Sequence, residues 1–159
     1  MGKNKRLPND AVLAALQLVR GQDRRRAAYK EKVREIISHT GAGFVDTQNR
    51  AGQPVRVYMP RAKGGTSNTT ADKAEAIDQL EQQRDVQIMR AIDAATEEIG
   101  ADIQDEDTRK ALKKAIALNC TDCRVWVYER LDVPGISRRD FYRRRRRYLE
   151  DVAVRVGLA

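Results

Sequence analysis

Apolar residues recur at helical spacing over most of this chain. After Leu7-Pro8-Asn9-Asp10, where Asn9 or Asp10 can cap free amides and Pro8 limits extension backwards, Val12, Leu13, Leu16 and Val19 repeat every three or four residues. Gly21 weakens this helix without having to end it, and Tyr29, Val33, Ile36 and Ile37 carry the stripe on to about Ser38. The periodicity then fails. Between His39 and Thr70, glycines stand at 41, 43, 52, 64 and 65 and prolines at 54 and 60. Two short apolar runs in that stretch, Gly43-Phe44-Val45 and residues 55–59, can pair as a small hairpin, and residues 63–68 read as a flexible connector.

Helical spacing returns at Thr70, with Asp72 and Glu75 in the first turn, and runs through Ile77, Leu80, Ile88, Ile92, Ala95 and Ile99 to a stop at Gly100. Arg84 interrupts the stripe. Both long helices are one-sided, so each must bury its stripe in an antiparallel hairpin or a dimer seam. Asp105-Glu106-Asp107 marks another helix start, followed by Ala111, Leu112, Ala115, Ile116 and Leu118. A short helix is expected over residues 121–131, with Val125, Trp126, Val127 and Tyr128. Asp132-Val133-Pro134-Gly135 then forces a turn, Ser137 caps a last helix, and Asp140 is placed to reach back as in a capping box.

The expected fold is therefore all-α: a long N-terminal helical hairpin followed by a C-terminal helix-turn-helix. Residues 1–38 form the first helix, 39–70 a Gly-rich connector, 71–100 the second helix pairing with the first, and 101–159 the helix-turn-helix module. The composition agrees, because 34% charged and only 5% aromatic residues suit long helices with solvated faces better than a large sheet.

Charge changes the picture at the C-terminus. The 159-residue chain carries a net +8 and has a pI near 9.8. Its arginines gather in the last helix, where Arg143 to Arg147 stand in a row. At about 100° per residue, Phe141, Tyr148, Leu149, Val152 and Val156 fall on one side and Arg139, Arg143, Arg146 and Arg147 on the other. Arg145 falls among the apolar residues and is expected to snorkel outwards. So much repulsive charge on one helix calls for a neutralising anion, and arginine favours bidentate phosphate or base contacts. A braced helix after a Pro-Gly turn points to duplex DNA. Ser137, Arg138, Arg139, Tyr142 and Arg143 are placed to meet base edges or nearby phosphates, and Arg144, Arg146 and Arg147 to grip the backbone. The bland alternative is a solvated face or an RNA-binding tail; the cap and the interleaved apolar stripe argue against a disordered tail.

Other chemistry finds less support. No phosphate-loop pattern G-x-x-x-x-G-K-[ST] is present. Cys120-Thr121-Asp122-Cys123 is half a zinc site at best, with His39 far away in sequence, unless a zinc is shared across a dimer; incidental thiols are the simpler account. A nucleophile–base pair or catalytic carboxylate cluster is not found, so neither an enzyme nor a cofactor is expected. No window suits a membrane span and no signal peptide is read, so a reducing cytoplasm is the expected location.

Several stretches resemble one group of phage and prophage proteins, the RinA/ArpU-like late-gene transcriptional regulators. They are Leu7-Pro8 with Ala15-Leu16-Gln17-Leu18-Val19-Arg20, then Thr69-Thr70-Ala71-Asp72-Lys73-Ala74, and the ending Val133-Pro134-Gly135-Ile136-Ser137-Arg138-Arg139-Asp140-Phe141-Tyr142-Arg143 with Val154-Arg155-Val156-Gly157-Leu158. The sharpest part is S-R-x-x-F-Y-R. The resemblance implies activation of late phage genes through double-stranded promoter DNA and host RNA polymerase, and a C-terminal module like the promoter-reading helices (region 4) of sigma factors. It makes Phe141 a core residue and Ser137, Arg138, Tyr142 and Arg143 DNA-facing. The irregular segment 39–68 departs from the shorter linkers expected of that group. A homodimer fits the one-sided helices. The competing reading is a small-terminase-like packaging component that binds DNA and assembles as a ring.

Overall fold

The structure, a computed structural model, describes residues 6–38, 43–48, 52–59, 69–121, 128–131 and 133–158. Among these residues it is mainly helical. The elements are α1 (Asn9–Arg20), α2 (Gln22–Ser38), β1 (Gly43–Gln48), β2 (Pro54–Met59), α3 (Thr69–Glu81), α4 (Arg84–Glu98), α5 (Glu106–Thr121) and α6 (Arg138–Arg155), with a single 3₁₀ turn at Tyr128–Arg130.

Each long N-terminal helix expected from the periodicity is found as two. The first divides at Gly21, where Arg25 packs its guanidinium over the glycine and donates from Nη1 to the Leu18 carbonyl at 2.6 Å, satisfying an acceptor at the end of α1. The second divides at Gln82–Gln83, where the Gln83 amide turns to the Leu80 carbonyl just before Arg84 interrupts the apolar stripe. α1 also starts differently from expectation. Pro8 occupies the cap position and Asn9 is the first helical residue, with no side-chain cap hydrogen bond. In the stretch read as a connector, β1 and β2 form the antiparallel hairpin, in register from Gly43↔Met59 to Gln48↔Pro54. Pro54, which has no N–H to donate, sits at the end of that ladder. Residues 63–68, His39 and most of the short helix expected over residues 121–131, including Trp126, lie outside the described residues.

The chain divides into two compact units, one made of Met1–Arg26 with Arg84–Ala159 and the other of Ala27–Gln83. In the first, α1 packs on α5 and α6, and α4 packs on α5 and α6. Its core joins Ala11, Ala15 and Val19 of α1, Ile88, Ile92 and Ala95 of α4 with Ile99 just beyond it, then Leu112, Ala115, Ile116 and Cys120 of α5, Val133, and Phe141, Tyr148, Leu149, Val152 and Ala153 of α6. The small side chains of Ala11 and Ala15 let α1 approach closely. That turns Leu13, expected in the stripe, outwards to 57% exposure. At the start of α2, Gln22 is buried and donates from Nε2 to the Met89 carbonyl and to Asp93 of α4, both at 3.0 Å.

In the second unit, Lys73 of α3 donates to the Ile37 carbonyl at the end of α2, and Lys32 reaches Gln83 at 2.9 Å. Leu80 is the buried residue there among those described, and Ile37 of the expected stripe is exposed.

Candidate nucleic-acid interface

The last helix is positioned by what precedes it. Val133 is buried, Pro134 restricts the chain, and Gly135 takes φ +70°, a conformation that costs an L side chain energy. Tyr128 in the 3₁₀ turn donates its hydroxyl to the Ile136 carbonyl and leans its ring on Phe141, with centroids 5.6 Å apart. Ser137 then caps α6 as expected, its Oγ accepting from the Asp140 amide at 3.2 Å. The reciprocal half of the capping box is different. The Asp140 carboxylate turns along the helix to Arg143 and Arg144 instead of back to the cap, because two guanidinium groups one turn away are stronger partners than one amide.

The two faces of α6 are sorted as the periodicity predicts. Phe141, Tyr148, Leu149, Val152 and Ala153 are buried, and Val156 is partly buried against the same core. Burial pushes the Tyr148 hydroxyl up to about 12, and it lies 3.3 Å from Thr96 Oγ1 on α4. On the other face Arg139, Arg143 and Arg147 are exposed, and Ser137, Arg138 and Tyr142 are exposed at the N-terminal end, Arg138 and Tyr142 in line with the apolar stripe. The Tyr142 ring meets the edge of Phe141 while staying 38% exposed. Arg138 pairs with Glu129 at 3.2 Å, with both side chains largely in water. An exposed pair of this kind contributes little and is easily exchanged for another anion.

Arg144 and Arg146, expected to grip a DNA backbone, have partners within the protein. Arg144 donates from Nη1 and Nη2 to the two Asp102 oxygens, each at 2.7 Å, and from Nε to Asp140 at 2.8 Å. This fork holds the Asp102 carboxyl down at about 2. Arg146 donates to Glu150 at 2.9 Å and to the Leu7 carbonyl and Asn9 Oδ1, both at 3.2 Å, tying the entry of α1 to α6. Arg145 does not simply snorkel. It is half-buried, its Nε has no hydrogen-bond partner, and it reaches the Cys120 thiol. Cys120 itself is fully buried, and burial pushes its thiol up, so it has the character of a core residue. Cys123 lies outside the described residues.

A cleft of about 550 Å³ opens beside this helix, between the end of α4 and α6, with Glu98, Asp102, Arg143, Arg144, Arg147 and Asp151 around it. Its charges alternate, so it is no dedicated anion hole. No group of three or more metal-ligating side chains occurs among the described residues, and no helix among them is long and apolar enough to cross a membrane.

Sequence reasoning missed four residues that shape this surface: Asp102, Glu129, Tyr128 in its hydroxyl role, and Asn9 as an acceptor for Arg146. Glu129 had a weak signal, an acid just before a basic helix. Asp102 had none, since no periodicity links it to Arg144.

No family model, curated protein or solved structure matches this chain.

Proposed function

We propose that this protein is a sequence-specific DNA-binding transcriptional regulator that reads duplex DNA with the first half of α6. The finer architecture belongs to this proposal: an N-terminal helical hairpin, then a helix-turn-helix of the sigma-region-4 kind with α6 as recognition helix. The role proposed with it is activation of phage late genes at promoter DNA, together with bacterial RNA polymerase.

One observation carries the reading. A helix with eight arginines against three acids is held by five buried residues on one face; Arg139, Arg143 and Arg147 meet solvent on the other, and Arg138 and Tyr142 are exposed at its N-terminal end. A solvated face that merely confers charge needs no such anchoring. A groove-reading helix does, since base edges must be met at fixed distances. The N-terminus adds to this: its free amides and dipole favour a phosphate close to Ser137. In this arrangement Arg138, Arg139 and Tyr142 meet bases, and Arg143 and Arg147 meet phosphates.

Selection of binding sites from a random duplex pool at near-physiological salt tests it, and a sharp recovered motif is expected. Arg138→Ala and Arg139→Ala then change which sequences are preferred, each costing about 1–3 kcal/mol at one position. Arg147→Ala weakens all duplexes alike and flattens the salt dependence. Equal loss by all three on every sequence overturns specific readout. A closed ring of many copies in light scattering would favour a packaging component instead.

A further inference from the structure

Resting on the DNA-binding reading above, we propose that the arginine run is divided by role: Arg143 and Arg147 meet phosphate, whereas Arg144, held in the Asp102 fork, is a positioning residue that sets the rotation of α6 and so the angle at which Arg138 and Arg139 meet the bases.

Three features separate Arg144 from its neighbours. Its Nε and both Nη atoms are committed, to Asp140 at 2.8 Å and to Asp102 at 2.7 Å twice. Its side chain is 20% exposed, against 75% for Arg143. The acid side of the fork, Asp102, is 65% exposed, so water covers the carboxylate while the guanidinium is shielded beneath. To meet a phosphate, Arg144 must leave two carboxylates that already match its planar fork. Exchanging them for one phosphate gains little.

The other end of the fork lies in a tight turn. Asp102 follows Gly100, whose φ is +69° and whose missing Cβ would stand 3.3 Å from Arg109 Cγ and Ile103 Cδ1 and 3.4 Å from Leu112 Cδ2. The turn thus packs closely on α5, and the fork links it to α6. Asp102, with its carboxyl at about 2, is ionised at neutral pH, so the fork keeps both its charges. Arg146 forms a second clasp on the same helix, to the Leu7 carbonyl and Asn9.

Rotation matters because the reading side chains are long. A guanidinium tip stands roughly 8 Å from the helix axis, so a roll of about 10° moves it by about 1.4 Å, enough to break a bidentate base contact. An exposed ion pair contributes little to global stability. A role in aim therefore shows in base discrimination before it shows in folding.

The experiment measures the full chain on two duplexes, the selected motif and a scrambled one, as salt is varied, for wild type, Asp102→Asn, Arg144→Lys, Arg144→Gln and Arg147→Gln. Asp102→Asn and Arg144→Lys attack the fork from opposite ends, so loss of helical circular dichroism in one leaves the other to report. The expected result is a tenfold or greater fall in the ratio of the two affinities for the fork variants, with the salt slope on scrambled DNA unchanged even for Arg144→Gln. Arg147→Gln lowers that slope by about 0.9 and leaves the ratio nearly as it was. A slope lowered by Arg144→Gln makes Arg144 a phosphate ligand and overturns the proposal. So does an unchanged ratio in folded fork variants, which marks the fork as structural only. If wild type prefers no sequence at all, it is the DNA-reading assignment itself that fails.

Discussion

In Met1–Arg26 with Arg84–Ala159, helices lay apolar faces together until Ile92, Leu112, Ile116, Phe141, Leu149 and Val152 are almost free of water. In Ala27–Gln83, the remainder of α2 together with α3 leaves Leu80 as the buried residue among those described. The difference does not follow charge. α6, with its eight arginines, lies in the well-packed region, while Ile37 at the apolar end of α2 is 58% exposed. What separates the regions is whether apolar positions find opposing faces. Helix periodicity is common to both, but among the described residues a shared interior is seen in one, and it is that interior which lets α6 carry dense positive charge without unwinding.

The largest expected effect is kinetic. In a Cys123→Ser background, Cys120 is the remaining thiol, and it is fully buried. Labelling by a thiol reagent should run on the order of 1,000-fold slower than for a free thiol, because the core must open first. The same reagent on a Cys120→Ser, Cys123→Ser, Leu80→Cys protein probes a residue equally covered but outside the main core cluster. It should react at least tenfold faster than Cys120. Equal rates would erase the distinction between the two regions.

Mutational stability sharpens it next. Phe141 is completely buried and touches the rings of Tyr128 and Tyr142, so Phe141→Ala should cost about 3–5 kcal/mol in chemical denaturation. Ile37→Ala, in the other region and largely exposed, should stay within about 0.5 kcal/mol. Removing the Ser137 cap is smaller. Ser137→Ala should cost about 1 kcal/mol, and hydrogen exchange should place the loss in the first turn of α6.

How far the chain could be read in advance follows the same division. Where a contact is local or periodic it was legible: Ser137 as a cap, the acid-rich start of α5, and the stripe Phe141, Tyr148, Leu149 and Val152. Where one surface had to choose between faces, the pattern misled. Leu13 is the more hydrophobic option on α1, but the close approach of α5 and α6 selects Ala11 and Ala15. The site was half legible. Which residues of α6 face outwards could be projected. Which arginines are already occupied could not, because Arg144 finds its partner 42 residues away and Arg146 finds Asn9 at 137. Sequence distance of that size carries no periodic signal; only the packing of the core brings the groups together.

The smallest expected effect concerns pH, and it tests whether the Asp102 fork belongs energetically to the packed region. Asp102 has its carboxyl lowered from 3.8 to about 2, chiefly by hydrogen bonding to Arg144. A depressed carboxyl favours the folded state when ionised, so this contribution is present above pH 4 and fades as pH falls through about 2. Wild type should therefore melt slightly higher than Asp102→Asn at pH 6, and the gap should narrow steadily from pH 4 to pH 2. The side chain is 65% exposed, so screening by water keeps the gap below about 1 kcal/mol. The fork joins the α4–α5 turn to α6. Asp102→Asn should consequently raise the labelling rate of Cys120 while leaving that of Leu80→Cys unchanged at neutral pH. A gap undiminished at pH 2 would mean that Asn at this position disturbs packing, and an accelerated Leu80→Cys would mean that the two regions open together.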